Sequence, residues 1–373
     1  MVPALRIGPR PLPLHLGMAA TALLGGVAAA PTDGFAGAAD EAERAFDEFL
    51  AGIHAYWAHP YRRAVAEPAV LWRGGSARLF DYGGAGRPVL FVPSLVNRAY
   101  ILDLAPERSL VRHLAARGLR PLLLDWGAPG DAELGFDLDG YVAHRLTPAF
   151  DAAVAATGGP VGLCGYCMGG LLALALARDR TEAISSLAFM AVPWDFHTDS
   201  ALAVRAAALL GAALDDTPGG LGEAPVDLLQ AFFAFVQPEQ VAAKFRAFAA
   251  LPQDGDRARD FVALEDWLND GVPLSGALAR DCLTGWYGAN RPARGEWHVA
   301  GRPVHPSAID LPALVMIPKR DRIVPRASAL PLATALANPT VHELDAGHIG
   351  MAVGRRARDE VWRPLVEWFG GAG

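Results

Sequence analysis

Cysteine is nearly absent from this 373-residue chain, with Cys164, Cys167 and Cys282 making up its full complement of 3. So few in a chain of this size exclude a disulfide framework and fit free thiols in a reducing compartment. Lysine is scarce beside arginine, which we read as a bias of base composition rather than of chemistry. Positive charge as a whole is short, and the net charge of −7 argues against a nucleic-acid partner. No face could easily gather the cations that phosphates demand. Metal-ligand spacings and a dinucleotide fingerprint are both missing, so no resident cofactor is expected. Internal repeats and low-complexity linkers are also missing, and the apolar runs are short for a membrane span. What is present is a globular composition, 52% hydrophobic and 20% charged, able to bury a large core. The length is great for one domain but within reach of an α/β domain with insertions.

The first thirty residues allow two readings. Arg6 and Arg10 precede "LPLHLGMAATALLGGVAAA", which ends in Ala28, Ala29 and Ala30, the order of a basic, an apolar and a small-residue region in an export signal. Pro11, Pro13 and His15 interrupt that pattern, and the other reading is an apolar helix packed on the body or on a lipid surface. We take residues 1–66 as an N-terminal apolar and helical extension. It includes a helix in "DEAERAFDEFLAGIHAYWAHPYRR".

From there the pattern alternates. A hairpin is expected in "AVLWRGGSARLFDYG", turning at Gly74 and Gly75. Apolar strands are expected in "PVLFVP", "RPLLLDW", "PVGLCG" and "ISSLAFMAV", separated by helices in "ERSLVRHLAARG", around Tyr141 to Ala156, and in "GGLLALALARD". Continuous apolar strands alternating with helices predict an α/β fold with a mostly parallel sheet covered on both faces. The alternation stops at "VPWDFH" and resumes at "LPALVMIPKRD" and "TVHELD", closing with a helix through Trp362 and Trp368. Residues 67–196 and 307–373 are therefore expected to form the two parts of the sheet domain. Residues 197–306 form a helical insertion that we expect to cap the strand ends.

The chemistry concentrates in "PVGLCGYCMGG". A strand of Val and Leu runs into Gly165-Tyr166-Cys167-Met168-Gly169 and then into a helix, the setting of a nucleophile elbow with Cys in the serine position. Such a bend demands small residues at Gly165 and Gly169 because turn and helix approach too closely for a Cβ. The Met168 N–H at the helix start would supply half of an oxyanion hole. The other half is expected from the loop "SLVNRAY", near Leu95 or Val96, with Asn97 as a prop. Taken alone, Cys167 could equally be a buried small hydrophobe, the role assigned to Cys164; Cys282 receives none. A nucleophile of this type needs an acid and then a base in chain order. Asp321 follows the strand "ALVMIP" and His348 follows "TVHELD", so both should emerge at the sheet edge that carries the elbow. Asp125 in "LLLDWG" competes for the acid; chain order favours Asp321 and leaves Asp125 structural.

"FVPSLVNRAYILDLAPERSLVRHLAARGLRPLLLDWG", "GYCMGG", "KRDRIVP" and "GHIGM" together resemble the polyhydroxyalkanoate synthases, as do the insertion stretches "FVALEDWLNDGVPL" and "LTGWYGANRPARGEWHVAG". The resemblance runs from about Val89 to Trp368, and the length is similar to the short, class III catalytic subunits. It implies an α/β-hydrolase fold and transfer of (R)-3-hydroxyacyl groups from coenzyme A thioesters onto a growing polyester. Cys167 would carry the acyl chain and His348 would take the thiol proton. Asp321 would orient His348 and help activate the next attacking hydroxyl. It further implies a cytoplasmic, granule-associated homodimer, with room for a second synthase subunit and with residues 11–30 as a docking segment. Departures are Ser94 where the family usually has a second Pro, Arg322 where it often has His, Met168 where Val or Gln is common, and an N-terminal part, with "HPYRR", unlike that of the best-known members. Two competing functions keep their place. One is a Cys-Asp-His hydrolase (thioesterase, lactone hydrolase or polyester depolymerase); the other is a non-catalytic granule- or lipid-surface protein.

Overall fold

Eight of the apolar runs assemble into one sheet in the computed structural model, which describes residues 6–29, 31, 35–198, 201–215, 222–236 and 240–371. Its strands are β1 (Ala69–Gly74), β2 (Ala77–Asp81), β3 (Pro88–Val92), β4 (Arg120–Asp125), β5 (Val161–Tyr166), β6 (Ile184–Met190), β7 (Ala313–Pro318) and β8 (Pro339–Leu344). They lie in the order β1-β2-β4-β3-β5-β6-β7-β8. The β1–β2 and β2–β4 pairs are antiparallel, and every later pair is parallel. All six residues of β5 and of β7 are buried, as strands covered on both faces must be. The last strand, β8, starts exposed and is buried only at its end, as befits an edge.

Local chemistry explains two shifts from the expected boundaries. The hairpin register closes with Gly74 opposite Ala77, so the turn falls on Gly75 and Ser76, one residue later than expected. Gly75 sits at φ 57°, the left-handed region such two-residue turns require. The helix expected over "ERSLVRHLAARG" spans only Leu110–Ala116, because the Ser109 hydroxyl accepts from the Arg112 N–H and caps it there.

The chain divides into two compact units. One holds the sheet and comprises residues 65–226 and 272–373; the other comprises residues 1–64 and 227–271. The insertion expected over 197–306 is thus shared between them, and the N-terminal extension forms a unit with its middle portion. The reason is a common core. Phe49, Ile53 and Tyr56 of the helix Phe35–Ala58 pack with Phe245, Phe248, Ala258 and Val262 of the helices Gln240–Ala249 and Asp256–Asn269. Gly52 lies so close to the Phe245 carbonyl that a Cβ there would overlap it. Leu12, Leu16 and Ala19 of the helix Leu12–Ala28 join this cluster, so its first half is packed as the second reading of the N-terminus supposed. No helix among the described residues is long and apolar enough to cross a membrane.

Within the sheet unit, the remaining insertion is tied to the loops at the C-terminal strand ends. The Val272 N–H donates to the Val96 carbonyl at 3.0 Å, and Asp281 Oδ2 accepts from the Leu138 N–H at 3.2 Å. The helix Gly276–Arg280 continues into a wider-wound turn, Asp281–Gly288, which lies against the helix Ala201–Asp215.

Candidate active site

Cys167 follows the last residue of β5 and caps the helix Met168–Arg180 with φ 53° and ψ −130°. A non-glycine residue at this φ is strained, and the surroundings hold it there. The Cys167 N–H donates to the Met190 carbonyl at the end of β6, and its own carbonyl accepts from the Gly170 N–H. The bend is also crowded. A Cβ at Gly165 would overlap the Gly170 backbone, and one at Gly169 would overlap the carbonyls of Val92 and Pro93. Both glycines are required by close approach, as the sequence pattern implied, and the second contact presses the exit of β3 against the elbow.

Met168 is the first residue of that helix, where a backbone N–H has no intrahelical acceptor. Val96 lies in the loop after β3, tied through its carbonyl to Val272 as described. On the same loop Ser94 Oγ and Asn97 Nδ2 are buried without a hydrogen-bond partner among the described residues. The prop role expected of Asn97 is therefore not one of side-chain hydrogen bonding through its amide nitrogen.

Asp321 and His348 meet the elbow at the same sheet edge. Asp321, in the turn after β7, is buried, and its Oδ1 accepts from the N–H groups of Ile323 and Val324, each at 2.8 Å. Its Oδ2 lies 2.6 Å from His348 Nδ1. The imidazole also makes a side-chain hydrogen bond with Cys167. Burial pushes the imidazole's proton affinity down, but the charges of Asp321 and Cys167 and the hydrogen bonds to both overcome it, raising the pKa from 6.5 to about 10. Cys167 itself is only half-buried.

The competing acid is engaged elsewhere. Asp125 Oδ2 pairs with Arg78 Nη2 at 2.8 Å across the β2–β4 ladder. Cys164 and Cys282 are buried, and burial drives both thiols up from their ordinary value.

Two features of the site were not legible in the motif. Tyr166, the variable residue of the elbow, stacks its ring on the His348 imidazole, with centroids 5.3 Å apart and planes at 24°. An aromatic cluster also borders Cys167. Phe196 stacks on Trp286 and meets Tyr287 edge-on, and Trp297 meets both Trp194 and Trp286. Tyr287 is near enough to Cys167 that the sulfur's charge adds to the effect of burial in raising its phenol. Asn290, at φ 51°, stitches the cluster by accepting from the Phe196 N–H and donating to Asp195. The aromatic richness of "LTGWYGAN" was visible in the sequence, but nothing in its spacing says which strand end it covers.

Chemically, the arrangement offers a thiol at a strained bend, an imidazole beside it with raised proton affinity, a carboxylate holding that imidazole, and a helix-start N–H at the same bend. These are the parts of nucleophilic acyl transfer.

Comparison with known proteins bears on the fold and the family. The profile of the alpha/beta hydrolase fold family matches residues 87–354. The solved structure of BpoC from Mycobacterium tuberculosis superposes with a TM-score of 0.52 at 20% identity, covering 83% of this chain and 98% of that one, a likeness of fold alone. The poly(3-hydroxyalkanoate) polymerase subunit PhaC of Synechocystis is 30% identical over 293 residues, which are 76% of this chain and 77% of the relative. PhaC of Haloarcula marismortui is 29% identical over 287 residues, 76% of this chain. The chain spans only 60% of the length of that relative and 63% of the length of PhaC from Haloferax mediterranei. With the fold-family profile over most of its length and a 30% identical relative covered over three quarters of both chains, this protein belongs to the poly(3-hydroxyalkanoate) polymerase family, built on an α/β-hydrolase fold.

Proposed function

We propose that this protein polymerises (R)-3-hydroxyacyl groups from coenzyme A thioesters, carrying the growing acyl chain on Cys167. The observation that carries the reading is the Cys167–His348–Asp321 constellation at the elbow, with sulfur where a hydrolase would hold oxygen. Family membership supports it, since the relatives are named as poly(3-hydroxyalkanoate) polymerase subunits.

In the first half-reaction, Cys167 Sγ attacks the thioester carbonyl carbon while its proton is held on His348. The carbonyl oxygen becomes an oxyanion facing the Met168 N–H and an N–H of the loop near Val96. Collapse breaks the bond to the coenzyme A sulfur, which leaves as the thiol with the His348 proton. In the second half, the 3-hydroxyl of an acceptor attacks the acyl-Cys167 carbonyl and gives its proton to His348. An oxygen ester forms, and Sγ departs as a thiolate beside the imidazolium. Asp321 holds Nδ1 throughout, which keeps Nε2 turned to the sulfur. No resident cofactor takes part.

The choice of sulfur follows from the energetics of relay. Exchange of one thioester for another is close to balanced, whereas a serine would fall into a more stable oxygen ester. On this reading the protein works where coenzyme A thioesters are found, in the cytoplasm, at the surface of its polyester product.

Incubation with 3-hydroxybutyryl-CoA tests the proposal. Release of free coenzyme A together with insoluble polymer is the expected result. Free coenzyme A with only soluble hydroxy acid would make the protein a hydrolase and overturn it.

A further inference from the structure

Tyr166 is the last residue of β5, between Gly165 and Cys167, and it is buried. A residue there could be a mere filler of the core, since side chains alternate between the faces of a strand. Its contacts are more selective than that. The ring lies against the imidazole of His348, and the hydroxyl donates to the backbone carbonyl of the same residue at 3.1 Å. One side chain thus holds His348 twice, through its ring and through its main chain.

His348 needs such holding. It follows β8, which lies three places from β5 in the sheet, a separation of about 14 Å at roughly 4.8 Å per strand. Gly347 and Gly350 flank it, and glycine gives a loop conformational freedom. The Asp321 hydrogen bond fixes Nδ1, so the ring's remaining motion is a pivot about the N–H···O line, which would carry it off its hydrogen bond with Cys167. The stacked phenol removes that pivot, and the hydroxyl fixes the backbone from which the ring hangs. Tyr166 is also covalently joined to Cys167, so the restraint is referred to the sulfur's own backbone rather than to the distant end of β8.

We propose that Tyr166 is a positioning residue: its ring and hydroxyl together lock His348 against Cys167 and favour the imidazolium. The inference rests on the reading of Cys167 and His348 as the reacting pair. An aromatic face within about 6 Å of a cation attracts it, so the stack favours the charged ring over the neutral one. Burial, with added effect from the charges of Cys167 and Asp321, pushes the phenol well above its ordinary value, so the hydroxyl remains a donor throughout the working range. Among the described residues, the charged and titratable groups facing the imidazole are Asp321 from the turn after β7, Cys167 from the elbow and Tyr166 from β5.

The test is the pH dependence of Cys167 alkylation by iodoacetamide in the full-length protein, which needs no acyl substrate. A misplacement of about 1 Å can cost on the order of 10²-fold in rate. Tyr166→Leu, losing both contacts, is expected to slow alkylation at neutral pH by about 30-fold and to move the profile to more alkaline pH. Tyr166→Phe keeps the ring and should restore most of that rate, leaving a deficit of about threefold from the lost hydroxyl. A Tyr166→Leu protein that melts cooperatively yet reacts with the wild-type profile overturns the proposal. Should that variant fail to fold, Tyr166→Phe decides: a profile superimposed on wild type overturns it. The acyl-CoA assay is read separately. A wild-type protein that alkylates as described but makes no polymer would sink the function proposed above and leave the role of Tyr166 standing.

Discussion

Asp321 Oδ2 lies 2.6 Å from His348 Nδ1, while Asp321 Oδ1 is occupied by two backbone N–H groups. The carboxylate is therefore fixed before any substrate arrives, and it has one oxygen to spend on one imidazole. Asp321→Asn keeps the shape but presents the wrong hydrogen-bonding partner to Nδ1. We expect acylation, followed as a single turnover of coenzyme A release, to fall on the order of 10⁴-fold. Asp125→Asn should leave that rate within about twofold of wild type and lose about 1 kcal/mol, because its partner Arg78 is part-exposed and also pairs with Glu67. If the two variants changed places in this assay, the assignment of the acid would be wrong.

Cys167 should be the sole thiol that a small alkylating agent reaches in the folded protein. Cys164 and Cys282 are buried and their thiols are driven up by burial, so thiolate is scarce at both. Intact-mass analysis after brief iodoacetamide treatment is expected to show one adduct, mapped to Cys167. Cys167→Ser should retain the fold and lose polymer formation by roughly 10³-fold or more. A serine variant that polymerised at near wild-type rate would show that sulfur is not needed.

Stability should respond to pH through His348. Its folded-state pKa, about 10, is above the ordinary 6.5, so the folded protein binds this proton more tightly than the unfolded chain. The contribution is fully present below about pH 6.5 and is lost as pH rises through about 10. Melting temperatures of wild type and His348→Gln, compared across that window, should differ progressively less in favour of wild type as pH rises. A constant difference would mean that the proton on His348 does not stabilise the fold.

Gly169→Ala tests the crowding at the elbow. The added methyl would overlap the Val92 and Pro93 carbonyls, and backbone cannot step aside as a side chain can. We expect a loss of about 1–3 kcal/mol by denaturant titration. Coenzyme A release should fall as well, because the exit of β3 must shift away from the elbow helix and takes the Val96 loop with it. Unchanged stability would show that the bend has room to spare.

The legible part of the site is the part made by neighbours in sequence. The elbow is a five-residue device whose strain, glycines and helix start are all local, so "GYCMG" announces it wherever the strand lies. Asp321 and His348 could be placed because each follows an apolar strand, and parallel strands bring their C-terminal ends to one edge. The choice between Asp321 and Asp125 is different. It rested on chain order, whereas the physical reason is the order of strands: β4 lies two places beyond β5 on the side away from β7, about 10 Å across the sheet. There Asp125 finds Arg78 on β2 instead of an imidazole. The insertion shows the same limit. Its helices were visible, but periodicity gives a helix an apolar face without naming what covers it, and Phe245 and Phe248 are covered by the helix Phe35–Ala58, nearly two hundred residues earlier in the chain.

The amino-acid sequence by itself determined the strands, the bend that strains Cys167 and the order in which thiol, carboxylate and imidazole occur, because each depends on residues a few positions apart. Only the tertiary structure decided which carboxylate reaches His348, that Tyr166 clamps it, and that residues 227–271 join the N-terminal helices. Those outcomes depend on which distant surfaces bury each other best. That is a competition among all the apolar faces of the chain at once, and no single stretch of it carries the result.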